Sequence, residues 1–193
     1  IRPLDTYNDL KFEHKASLRI SFVLAALLFA VRLLDQTAPA FLFRTAAPDK
    51  INALSALASS LGLLAIWSVC NWATCTLADG EGTFRSVWIM TAYSVVPYCA
   101  MTLISIGMSY LLSQSEAVFY GTVRNIGLVW TGILLFLGML TAHQYTVLKT
   151  IVSVILTLVM IVLCCFLLVV MFSITQQIKD FIFTLFKELA VRR

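Results

Sequence analysis

An all-α fold, a polytopic membrane bundle of five helices, is what this sequence predicts, and three observations predict it. Of 193 residues, 60% are hydrophobic and only 12% charged, with a mean hydropathy of +0.91. An ordinary soluble domain carries about 25% charged residues. Five segments hold the roughly 20 mostly apolar residues that a spanning helix needs. Period-2 alternation of apolar and polar residues is absent, which argues against a membrane β-barrel.

The five segments run about Ala16 to Leu34, Ile51 to Leu77, Ser86 to Leu112, Ile126 to Ala142 and Thr150 to Ile174. Residues 1–15 precede them as a charged juxtamembrane stretch. There Leu4, Tyr7 and Leu10 recur every three residues, and Lys11, Lys15 and Arg19 are placed to meet phosphate headgroups. Between the first two spans, DQTAPAFLFRTAAPDK holds two prolines around an apolar FLF, as in a loop that dips into the interface. SQSEAVFYGTVRN and AHQYTVLK make the later connections. No repeat or linker marks a second domain, so residues 1–193 read as one membrane domain.

After Ile174 the pattern changes. Ile178, Phe181, Ile182, Leu185, Phe186 and Leu189 recur at i, i+3, i+4, i+7, i+8 and i+11, one face of a helix. With Lys179, Asp180, Lys187 and Glu188 mostly off that face, residues 175–193 predict an amphipathic helix. It either lies in the interface or binds a partner. No Gly or Pro occurs from Met139 onward, so it can also continue the fifth span.

A net charge of +4 without a clustered basic face suits a neighbour of anionic lipid, not a nucleic-acid binder. The five cysteines, Cys70, Cys75, Cys99, Cys164 and Cys165, lie in or beside apolar runs without a CxxC pair, and read as reduced small hydrophobes. No signal peptide is legible at the start, and an opening on Ile1 is compatible with residues upstream. Orientation is not decided by charge. Six basic residues fall on the N-terminal side and eight on the other, or four without the terminal helix.

The residues that invite chemistry gather in two connections. In DGEGTF, Asp79 and Glu81 are hard oxygen donors of the kind a divalent cation takes. The EF-hand pattern and the GxxxxGK[ST] phosphate loop are both missing. Gly80 stands where a helix C-terminus favours a left-handed residue, and Thr83 or Ser86 can cap the next helix. Gly82 completes a reading of the stretch as an elbow between helices, with Arg85 near enough to pair with an acid. In the other connection, His143 has no intramembrane acid at helical spacing to relay a proton, and Tyr145 and Lys149 read as interfacial anchors. Within the spans, Asn71 either bonds a neighbouring helix or sits at the interface with Trp67 and Trp72. Ser55, Ala58, Ser59 and Gly62 predict a small face for close helix packing. Tyr93, Pro97 and Tyr98 predict a kink in the third span. Arg19 and Arg32 bracket the first span, with Asp35 within reach of Arg32. No Ser-His-Asp set, HExxH motif or pair of intramembrane acids points to an enzyme, and no cofactor or metal site is read.

NWATCTLADGEGTF followed by RSVWIMTAYSVVPY resembles the Yip family of Ypt/Rab-interacting membrane proteins, specifically its bacterial branch. The resemblance extends to RPLDTYNDLKFEHKAS, the FLF loop, AHQYTVLKTI and FSITQQIKDF, with Ala78 standing where relatives commonly carry an aromatic. It implies a five-span bundle in the bacterial cytoplasmic (inner) membrane, N-terminus cytoplasmic and C-terminus outside, with DGEGTF and HQYTVLK on the cytoplasmic side. Eukaryotic members work in vesicle traffic with Rab GTPases, a pathway bacteria lack. What the resemblance implies here is a non-catalytic accessory or scaffold subunit that binds other membrane proteins or organises the membrane. The alternative is a transporter component, in a sugar-uptake system or a lipid-moving oligomer. Expected partners are membrane lipids and integral membrane proteins, as a hetero-complex or homo-oligomer, without nucleic acid.

Overall fold

The computed structural model describes residues 17–44 and 52–191, without the side chains of 185, 186 and 188–191. The juxtamembrane stretch with Leu4, Tyr7, Leu10, Lys11, His14 and Lys15 therefore lies outside the described residues, as do 45–51. Every regular element among the described residues is helical. Five long helices follow one another: α1 (Leu18–Thr37), α2 (Ala53–Leu77), α3 (Phe84–Met108), α4 (Ala117–His143) and α5 (Val147–Val191). The last four are long and apolar enough to cross a membrane.

α1 buries Ser21, Ala25, Leu28, Val31 and Asp35, a stripe at helical spacing. Leu28 and Val31 meet Leu64 of α2 and Cys99 of α3, and Trp88, Val95 and Tyr98 pack around them. The FLF segment forms a single 3-10 turn, Phe41–Phe43, with Phe41 and Leu42 exposed. Phe43 rests on the Tyr120 ring, while Ala40 N–H donates to Ser109 Oγ (2.9 Å) and the Tyr110 hydroxyl to the Ala38 carbonyl.

α2 starts at Asn52, whose side-chain oxygen accepts from the N–H groups of Leu54 and Ser55. It then passes through a π turn at Ala58–Gly62. The packing face is Ala56, Ser60, Leu64, Ser68, Asn71 and Cys75. This corrects the small face expected from Ser55, Ala58, Ser59 and Gly62, of which Ser55, Ala58 and Gly62 are exposed. Burial recurs every four residues from Ala56 to Ser68, wider than the 3.6-residue turn, and a π turn supplies that slack.

α3 breaks between Phe84–Ser94 and Val96–Met108, where predicted. Pro97 has no N–H for the Tyr93 carbonyl, and its fixed φ suits the first turn of the second half. α4 begins nine residues before the expected Ile126, after a capping box in which Ser113 and Glu116 satisfy each other. It runs against both halves of α3, and a Cβ at Gly127 would lie 2.6 Å from Met101 Cβ, so only glycine permits that approach.

α5 is one uninterrupted helix of 45 residues, about 68 Å at 1.5 Å per residue. The fifth span thus continues into the terminal helix instead of ending near Ile174. It packs on α2 through buried Thr150, Ser153 and Thr157, and Cys164 Sγ lies 3.7 Å from Cys70 Sγ. Only 6% of its most apolar stretch is buried. Ile178, Phe181 and Ile182 are exposed as an unpacked face, and the side chains of Leu185, Phe186 and Leu189 lie outside the described residues.

Candidate functional site

The two chemistry-bearing connections fold onto each other at one end of the bundle. α2 ends with a residue in the left-handed region, then a 6→1 bond from Gly80 N–H to the Cys75 carbonyl (2.8 Å). The left-handed residue is Asp79 (φ 56°), not Gly80 as expected. Aspartate tolerates that region because its short side chain bonds locally. α4 closes in the same way, with Gln144 left-handed (φ 55°) and Tyr145 N–H on the Leu140 carbonyl (3.1 Å).

The glycines serve a different purpose. A Cβ on Gly80 would lie 2.6 Å from Tyr145 Oη and 2.7 Å from His143 Nδ1. One on Gly82 would lie 2.6 Å from the His143 ring and 3.2 Å from the Ala142 carbonyl. Both contacts are closer than van der Waals packing permits, so DGEG is built of glycine where the α4–α5 turn presses on it. Thr83 then caps α3, its Oγ1 accepting from Ser86 N–H (3.3 Å).

Polar groups lock the contact. The Tyr145 hydroxyl lies 3.0 Å from each of the Cys75 and Ala78 carbonyls and so adds a donor at the end of α2, where the Cys75 carbonyl already accepts from the Ala78 and Gly80 N–H groups. Fully buried Asn71 turns its side-chain oxygen to His143 Nε2 at 3.2 Å, which makes that nitrogen the donor. Asn71 therefore bonds a neighbouring helix instead of sitting at the interface. The His143 and Tyr145 rings stack at 5.4 Å, and Lys149 Nζ sits 4.3 Å from the centre of the Tyr145 ring. Burial pushes the Tyr145 phenol up to about 12, with Cys75 and Asp79 acting in the same direction. It is thus a neutral donor throughout the physiological range.

Asp79 and Glu81 point outward and exposed, away from His143. Among the described residues no group of three or more His, Cys, Asp or Glu side chains is arranged to hold a metal ion, and Arg85 pairs with neither acid. The elbow is a clasp with an acidic outer rim. Tyr93 and Pro97 lie away from it, at the break in α3.

A second polar cluster, at the opposite end, was only partly legible. Arg32 bonds Tyr98 Oη (2.8 Å) and Ser59 Oγ (3.3 Å) and lies 3.6 Å from Asp35, as its spacing allowed. Arg124 of α4, 89 residues from Asp35, reaches the same carboxylate at 2.5 Å. Nothing near Arg124 in the sequence announces that contact.

Compared with known protein families, residues 1–170 match the Yip1 domain. No curated protein and no solved structure matches the chain.

The clasp makes two expectations. Gly82→Ala drives a methyl into His143 and should cost about 1–3 kcal/mol. Gly107→Ala and Gly132→Ala, helical sites with nothing within 4 Å of the new methyl, should be neutral or stabilise by up to about 1 kcal/mol. Melting curves in mild detergent read both signs. The second concerns pH. The Tyr145 pKa is raised on folding, so its contribution is complete below the unfolded value near 10 and fades as pH rises through about 12. Melting temperature should fall over that window by more in the wild type than in Tyr145→Phe, which should itself lose about 1 kcal/mol at neutral pH.

Proposed function

The chain belongs to the Yip1 domain family and is a multi-pass membrane protein, and from that premise we propose that it is a non-catalytic accessory or scaffold subunit of a bacterial inner membrane. The observation that carries this reading is α5. A helix of 45 residues with 6% of its most apolar stretch buried presents nearly its whole circumference to the bilayer. Lipid covers such a surface, and so does the face of another membrane protein. Transmembrane helices associate by close packing and interhelical hydrogen bonds without needing a water-driven term. The last part of α5 also lies beyond the residues matched to the family, so it is where this chain is equipped for a partner of its own.

The proposed topology has five spans, with α1 as the first and the N-terminus cytoplasmic. That arrangement sets DGEGTF and HQYTVLK on the cytoplasmic side as one surface, with Asp79 and Glu81 exposed on it. Support comes from the alternating direction of the five helices and from the polar clusters at both ends of the bundle. Closure of the clasp upon itself supports a binding role over catalysis, because His143 and Tyr145 spend hydrogen bonds on Asn71 and on the end of α2.

Two measurements test this. Purified from its host in mild detergent, the protein should run as a complex of reproducible composition. Val162→Ala, Phe166→Ala and Val169→Ala together, on one exposed face of α5, should release the partner without lowering the protein's own melting temperature. A monomer that emerges alone from repeated preparations would remove the scaffold reading. For orientation, Glu81→Cys should react with a membrane-impermeant maleimide in inverted vesicles and not in intact cells. The opposite pattern reverses the topology.

A further inference from the structure

α1, α2, α3 and α4 enclose a cleft of about 350 Å³ to which α5 contributes no wall. Its volume falls within the roughly 300–1,000 Å³ typical of small-molecule sites. Most of the wall is apolar, built by residues such as Leu28, Leu64, Val95 and Leu135. Its polar residues are Arg32, Ser59, Ser60, Thr91, Tyr98 and Thr131. Arg32, Ser59 and Tyr98 gather at the end near the C-terminus of α1, already bonded to one another. From Ser59 to Trp67 the cleft follows α2 for about 12 Å, most of the roughly 15 Å depth of one leaflet's hydrocarbon.

Among the described residues, charge at the polar end is unbalanced. Arg32 and Arg124 share the single carboxylate of Asp35, and both guanidiniums remain about a quarter exposed (26% and 27%). Arg44 adds a third cation at this end, folded onto the Thr37 carbonyl. The other described acid nearby, Glu116, is held by Ser113. Positive charge in excess at the mouth of an apolar cleft calls for an anion, and guanidinium groups are matched in shape to phosphate. Two backbone irregularities frame the place. The π turn at Ala58–Gly62 carries Ser59 and Ser60, and the break at Val95 carries α3 away to Tyr98. Thr131 Oγ1, in the α4 wall, is buried without a hydrogen-bond partner.

We propose that this cleft is a binding site for an anionic phospholipid, with the phosphate on Arg32, Ser59 and Tyr98 and one acyl chain laid between α2 and α4 toward Trp67. The site is an intramembrane one on the leaflet facing the C-terminal end of α1. It is independent of whether the protein acts as a scaffold, since it uses neither the clasp nor α5.

Trp67 in the wall provides the readout. The purified protein in phosphatidylcholine micelles is titrated with phosphatidylglycerol or phosphatidylcholine brominated on the acyl chains, and the Trp67 signal is isolated by subtracting Trp67→Phe. Brominated phosphatidylglycerol should quench Trp67 at about one-tenth the mole fraction needed with brominated phosphatidylcholine. Arg32→Gln should abolish that preference, and Arg32→Lys should keep part of it. Thr131→Phe, which fills the cleft and leaves Arg32 in place, should remove the preference if Arg32→Gln does not fold. Inorganic phosphate at millimolar concentration should not displace the lipid. Equal quenching by the two lipids in the wild type overturns the proposal, as does a preference that survives Arg32→Gln or Thr131→Phe. Displacement by inorganic phosphate overturns it in favour of a free-anion site.

Discussion

Within a bilayer every backbone polar group needs an internal partner, and the ends of α2 show how this chain meets that demand. The Cys75 carbonyl is met by the N–H groups of Ala78 and Gly80, while the Ala78 carbonyl lies past the last turn of the helix. A tyrosine hydroxyl from the α4–α5 turn adds a donor to both, from 70 and 67 residues away. Placing that hydroxyl requires the turn to lie flat on DGEG, and only glycine at 80 and 82 leaves room for His143 and Tyr145. The same contact sets where α5 begins, so Thr150, Ser153 and Thr157 descend along α2 from a fixed start. Asn71 and His143 add a buried bond one turn deeper. Clasp and helix order are therefore one feature, since α2 and α4 end side by side because their capping groups are shared.

The opposite end of the bundle is organised by charge. Asp35 holds two arginines from different helices, and the surrounding loop is tied by Ala40 to Ser109 and by Tyr110 to Ala38. Between the ends, the π turn in α2 and the proline break in α3 keep the helices from packing shut. One end is closed by polar contacts between the two connections. The other keeps a cleft with cationic groups at its mouth. That asymmetry gives the two leaflets different surfaces to meet.

α5 stands apart energetically. A water-soluble protein could not leave Phe166, Val169, Met171 and Phe172 each more than 60% exposed. Hydrocarbon removes that penalty, because lipid tails are as apolar as the side chains. What fixes α5 is thus a narrow stripe of small polar residues near its start, extended by Cys164 against Cys70, while its described side chains from Met171 onward are exposed. Membership of the Yip1 domain family covers the bundle and the anchored part of α5, up to residue 170.

Hydropathy alone located the helices, because about 20 apolar residues leave a chain little choice in lipid. Their ends were harder. α4 starts early because Gly121, Thr122, Arg124 and Asn125 lower the apolar average while remaining helical, so that Arg124 can reach Asp35. The Pro97 break was legible because a missing N–H is a local fact. The face of α2 was not, since a π turn shifts the register without a residue that marks it. Glycine was rightly singled out at 80, but for backbone angle, while the angle fell to Asp79 and the glycine answers a ring 63 residues away. By itself, then, the sequence determined a helical membrane bundle, its kink and the stretches that carry its polar groups. Only the tertiary structure decided which of those groups meet. Asn71 with His143 and Asp35 with Arg124 are pairings made by helix packing across 72 and 89 residues. No local preference encodes them, because a hydrogen bond depends on distance in space and not on distance along the chain.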